Sequence, residues 1–146
     1  MCNNNQSDGN CIAELLNVIL VLQQNACPCN GLDSCDRPML GGGSTCLGCN
    51  TRPVMLYTCC PSGEPLSMPI TKDSTVSCDP ADQATCSSVF RIEKIEGNCA
   101  TFRVLTSNPD TSSIQPWITT NSLFTIKLDC ICIVRCLTDA YVEGVC

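Results

Sequence analysis

Val89-Phe90-Arg91-Ile92-Glu93-Lys94-Ile95, the turn Glu96-Gly97-Asn98, and the return Cys99-Ala100-Thr101-Phe102-Arg103-Val104-Leu105 decide the fold. The first run puts Phe90 and Ile92 on one face and Arg91 and Glu93 on the other, the period of two of a half-buried strand. A glycine-containing turn between two such runs predicts an antiparallel hairpin. Further on, Phe124, Ile126, Leu128, Cys130, Cys132, Val134 and Cys136 share one parity and read as one long strand. From Ile131 both faces of that strand are apolar, which fits entry into a two-sheet core or a subunit contact. The Ser/Asn/Pro-rich stretch holding Trp117 reads as the loop before it.

Upstream the period changes. From Cys11, the spacing of Ile12, Leu15, Leu16, Ile19, Leu20 and Leu22 predicts a helix over 11–25. Asn10 is placed to cap it, Glu14 suits the positive end of its dipole, and Pro28 guarantees its end. Val18 and Val21 widen the apolar stripe, so this helix is expected to be buried, within the chain or between subunits. Residues 1–10 are polar and Asn-rich and read as a flexible N-terminal arm. Residues 26–88 read as loop-rich, with a short strand at Val54–Tyr57 and one edge strand near Ile70; residues 89–146 read as β-rich. The expected fold is α+β and mainly β: an N-terminal helix followed by a disulfide-rich antiparallel β-sandwich, with 11–146 as a single cysteine-rich domain.

The 146 residues carry 16 cysteines and no histidine. That cysteine content exceeds the roughly 8–10 % that marks a disulfide scaffold. Chains that need such staples are those below about 70–80 residues; this one is long enough to build a core without them. The excess sulfur therefore calls for metal, redox chemistry or bonds between chains. Without histidine there is no Ser-His or Cys-His nucleophile pair and no imidazole base, and the scattered carboxylates (Glu93, Glu96, Asp79, Asp82) lack a partner base; no catalytic residue and no cofactor site is expected. A net charge of −6 with no basic run argues against nucleic acid and anionic membranes as partners. Only 15 % of residues are charged and the mean hydropathy is +0.13, a surface composition that favours association. The apolar segment Ile12–Leu22 has no basic residue before it and is too short to span a bilayer, so neither export nor membrane insertion is expected from it.

The cysteine motifs divide by spacing. Cys46-x-x-Cys49, with Cys27-x-Cys29 as a second pair, fits a structural zinc site as the alternative to disulfides in a loop region. Adjacent Cys59 and Cys60 cannot easily bond each other, which points to two different partners, one of them in another chain on the sharper reading. Cys130, Cys132 and Cys136 suit either small core side chains or cross-strand bridges to Cys99 or to the Cys78/Cys86 loop. Cys2, on the polar arm, and Cys146, beyond Gly144 at a chain end where tails are mobile, are the leading candidates for intermolecular bonds, with Cys59 and Cys60 behind them. Cys78, Cys86, Cys99, Cys130, Cys132 and Cys136 are the intramolecular candidates.

Ser87-Ser88-Val89-Phe90-Arg91-Ile92-Glu93-Lys94-Ile95, then Asn98-Cys99-Ala100-Thr101, then Leu128-Asp129-Cys130-Ile131-Cys132-Ile133-Val134-Arg135-Cys136-Leu137 resembles the CotY/CotZ family of spore coat and exosporium proteins. The cysteine-headed helix Cys11–Gln24 is similar in placement. The resemblance covers roughly 10–30 and 85–140. It implies a structural protein made in the mother-cell cytoplasm without a signal peptide, assembling with itself and with other coat proteins at the spore surface, and cross-linked by disulfides within and between chains. A zinc-binding module, or a subunit of a disulfide-linked spore appendage fibre, is the alternative.

Overall fold

The computed structural model describes residues 10–26, 48–59, 63–78 and 84–146. Helix α1 (Cys11–Ala26) starts as its sequence dictates: the Asn10 side-chain oxygen accepts the Ile12 N–H at 3.1 Å and its carbonyl accepts the Glu14 N–H. Leu16, Ile19 and Gln23 face inward and are buried. Val18 and Val21 stand more than half exposed in the single chain, beside Leu15 and Leu22. The helix rests on the protein along one side only, because its apolar residues cover more of its circumference than one sheet face can take.

The strands are β1 (Val54–Thr58), β2 (Met68–Pro69), β3 (Cys86–Ser87), β4 (Val89–Glu96), β5 (Cys99–Ser107), β6 (Trp117–Lys127) and β7 (Ile131–Cys136), with a 3-10 turn, η1 (Leu128–Cys130), between the last two. All pairings are antiparallel. One sheet has the order β6-β5-β4-β1-β7; β2 and β3 form a second, two-stranded sheet. The β4–β5 hairpin turns at Gly97, whose φ of 55° is the left-handed conformation that glycine adopts without strain. The α+β, mainly β class therefore holds.

The long C-terminal strand does not run unbroken. η1 divides it into β6 and β7, which lie on opposite edges of the five-stranded sheet. In a flat sheet those edges would be about 19 Å apart, four strand spacings. Yet Lys127 and Ile131 are linked by a segment that spans at most about 14 Å. The sheet must therefore coil until its edges meet at η1. Two hydrogen bonds mark the seam: the Leu128 N–H donates to the Asn98 carbonyl in the hairpin turn, and the Cys59 N–H donates to the Cys130 carbonyl at 3.1 Å.

Inside the coil the chain's three phenylalanines meet, Phe90 edge-on to Phe124 at 4.8 Å and Phe102 stacked on Phe124 at 5.5 Å. Leu16 and Ile19 of α1 close this core together with Leu66, Met68 and Ile70 from around the small sheet. On the other face, residues 137–146 fold back, and Val142, Leu137 and Val145 pack against Val89, Leu105 and Trp117.

Candidate functional site

The chemistry-bearing side chains of this protein are its cysteines, and the topology sorts them. At the seam, Cys59, just past the end of β1, is disulfide-bonded to Cys132 of β7. Cys130 in η1 is free and exposed, and Cys99, opening β5, is free and half-buried. Asp129 ties the seam further: its carboxylate accepts the Asn98 side-chain N–H at 2.9 Å, and its carbonyl lies 3.7 Å from the Cys59 sulfur. Cys78 and Cys86 are bonded to each other beside the small sheet. Cys136, at the end of β7, and Cys11, at the start of α1, are free and exposed.

Several placements differ from expectation. Cys59, a candidate for a bond between chains, spends its sulfur on Cys132 within the chain, because β1 and β7 are antiparallel neighbours and the end of β1 lies beside the start of β7. Cys78 and Cys86 join each other and not the β7 cysteines. Cys146 does not end a mobile tail. Asn50 holds residue 142 by a reciprocal pair, its side-chain N–H donating to the Val142 carbonyl and its oxygen accepting the Val142 N–H, both at 2.9 Å. Cys146 is itself disulfide-bonded, as is Cys49. Cys2, Cys27, Cys29, Cys46 and Cys60 lie outside the described residues, and Asp79 and Asp82 with them. Among the described residues no three histidine, cysteine or acidic side chains cluster as metal ligands.

Sequence reasoning missed the polar frame that holds these elements in place. Glu93 reads as a carboxylate on the polar face of its strand with no partner, yet the register shift between Ile92 and Lys94 makes it the extra residue of a bulge. It sits between Arg91 at 3.1 Å and Arg103 at 2.9 Å. The Arg91 side chain, 5 % exposed, also donates to the Thr51 hydroxyl and the Asn50 carbonyl. Arg52 forks onto Asp139 at 2.7 and 2.8 Å. That hydrogen bond, with the charges of Asp139 and Cys136, holds its guanidinium above its usual pKa against the opposing effect of burial. The polarity of 50–52 was visible in the sequence; its partners, some 40 and 90 residues away, were not.

A cavity of about 60 Å³ opens between α1 and this frame, lined by Leu22, Gln23, Arg52 and Asp139 among others. Small-molecule sites run to about 300–1,000 Å³, so it has room for a few waters and not for an organic substrate.

A family model, Spore coat protein Z, matches residues 1–117. The chain belongs to the spore coat protein Z family. The match takes in α1 and β1 through β5 and ends at Trp117, ahead of the Leu128–Leu137 stretch that carried part of the resemblance. Neither a curated protein nor a solved structure matches the chain. Family membership makes this a spore coat structural protein, located at the spore surface.

Proposed function

We propose that the chain is a self-assembling shell subunit, first associated through apolar surface and then locked by disulfides between chains. The observation that carries this reading is the surplus of thiols. After internal bonding, Cys11, Cys130 and Cys136 remain reduced and exposed on three separate elements. A structural cysteine that served only the fold would be buried or bonded; these are neither. The exposed stripe of α1 supports the associative step. Leu15, Val18 and Leu22 follow Cys11 at spacings of four, three and four residues, the seam that helices use to pack on one another. Other coat proteins are further partners of the same surface, and Cys2 and Cys60 stay candidates for chain-to-chain bonds.

The test compares purified protein with and without reductant, by electron microscopy and by reducing and non-reducing gels, with metal analysis of the same sample. Ordered assemblies that become covalent ladders on oxidation are expected. A monomer at high concentration under oxidising conditions overturns the reading, and stoichiometric zinc in that monomer would replace it with a metal-structured module.

A further inference from the structure

Cys59 has two cysteines within reach on the facing segment, and it is bonded to the one that does not face it. The β1–β7 register pairs Thr58 with Ile131, so the next pair along is Cys59 and Cys130. Their main chains are joined by the 3.1 Å bond from the Cys59 N–H to the Cys130 carbonyl. Antiparallel neighbours of this kind have Cα atoms about 4.5–5.5 Å apart, inside the roughly 4.4–6.8 Å that a disulfide spans. The bond goes instead to Cys132, on the diagonal, at a Cα separation of 5.0 Å. The shift in register between Tyr57 and Thr58 brings that diagonal residue close. The facing cysteine is left as a free, exposed thiol beside the disulfide.

We propose that Cys59, Cys130 and Cys132 form a thiol–disulfide exchange centre, in which the Cys59 bond passes between Cys132 and Cys130. In the forward step Cys130 loses its proton to water and its thiolate attacks the Cys59 sulfur. The Cys59–Cys130 bond forms, the Cys59–Cys132 bond breaks, and the electron pair leaves on Cys132, which takes a proton from water. One disulfide and one thiol stand on each side of the reaction, so no oxidant or reductant is consumed. Attack on the Cys132 sulfur is disfavoured. It would bond two residues separated by Ile131, which is extended at φ −95° and ψ 119°. Such residues lie about 6.6 Å apart, at the upper limit for a disulfide.

The exchange changes what the sheet edge displays. In one isomer the free thiol sits in η1; in the other it sits at Cys132, on the exposed edge strand with Cys136. If chains are cross-linked as proposed above, the centre selects which position of β7 is available to a neighbour. That consequence rests on the self-assembly reading; the exchange itself does not.

The test is peptide mapping of the dilute, unassembled full chain without reduction. Free thiols are blocked with N-ethylmaleimide either at once or after incubation with a catalytic amount of a small thiol. Trypsin leaves Leu128–Arg135 as one peptide; fragmentation at Ile131 shows which of its cysteines is bonded, and fragmentation of the partner peptide between Cys59 and Cys60 shows that Cys59 is the one it holds. Both isomers are expected after incubation, with prior blocking of Cys130 preventing the second. In the Cys132→Ser variant, Cys59 should be found on Cys130; in Cys130→Ser, one isomer should persist unchanged. A wild-type chain that keeps the Cys59–Cys132 bond alone after incubation overturns the proposal, as does a Cys132→Ser chain whose Cys59 is reduced or joined elsewhere. Because the chain is dilute throughout, failure here leaves the self-assembly reading standing, and failure to assemble leaves this result readable.

Discussion

The Gln23 side chain of α1 donates to the carbonyl of Ile92 in β4 at 2.8 Å, and both partners are buried. The β1–β4 pairing stops at Val54 and Phe90, and the helix supplies a donor to the Ile92 carbonyl beyond it. The same amide accepts the Arg52 N–H at 3.1 Å, so one residue joins helix, sheet and the 50–52 frame. Gln23→Ala is expected to strand both main-chain groups, each costing about 1–3 kcal/mol when left unpaired out of water. A denaturant midpoint measured on oxidised protein checks this; a loss below about 0.5 kcal/mol would show that water replaces the amide.

Glu93 answers two arginines, one of them almost wholly buried. Glu93→Gln keeps the shape and removes the charge. Breaking a fully buried pair costs about 3–5 kcal/mol; with Glu93 side chain one-fifth exposed, roughly 2–3 kcal/mol is expected. Thermal unfolding beside a Lys94→Gln control separates the cases, since the Lys94–Glu96 pair is exposed on both sides and its loss should cost no more than about 1 kcal/mol.

Local pattern carried the hairpin, the Asn10 cap and the extent of α1, because each is decided by residues a few positions apart. The break at 128–130 was illegible for a physical reason. Leu128 and Ile131, three positions apart, are both buried, so the inward face changes parity as the chain crosses from one sheet edge to the other, and apolar side chains on both parities from 130 to 134 hide the change. No glycine or proline marks the crossing. The cysteine pairing was illegible because it depends on which strands are neighbours: Cys59 meets Cys132 through the pairing of β1 with β7 and the register shift at Tyr57/Thr58, a contact across 73 residues. Ile133, read as a core or contact residue, stands 55 % exposed on the edge.

The Cys59–Cys132 and Cys78–Cys86 disulfides should differ in worth. Cys59–Cys132 closes a separation of 73 residues and Cys78–Cys86 one of 8. The chain-entropy estimate gives roughly 4 kcal/mol for the first and roughly 2.5 kcal/mol for the second. Replacing each pair by alanine and comparing unfolding midpoints checks the order. The opposite order would mean that the unfolded chain already holds Cys59 near Cys132.

Val18 and Leu16 stand two positions apart on α1 and face opposite ways, one 56 % exposed and one fully buried. Leu16→Ala empties core volume beneath the helix and should cost about 2–5 kcal/mol. Val18→Lys touches no core residue and should leave stability within about 0.5 kcal/mol. Its effect is expected on association, because a lysine in the middle of the Leu15–Leu22 stripe must be desolvated when a neighbour packs against it. Light scattering in reductant, where no disulfide can hold chains together, should show large particles for the parent and for Leu16→Ala below its melting point, and small species for Val18→Lys. Assembly by Val18→Lys equal to the parent would take α1 out of the contact and leave it to the sheet edges.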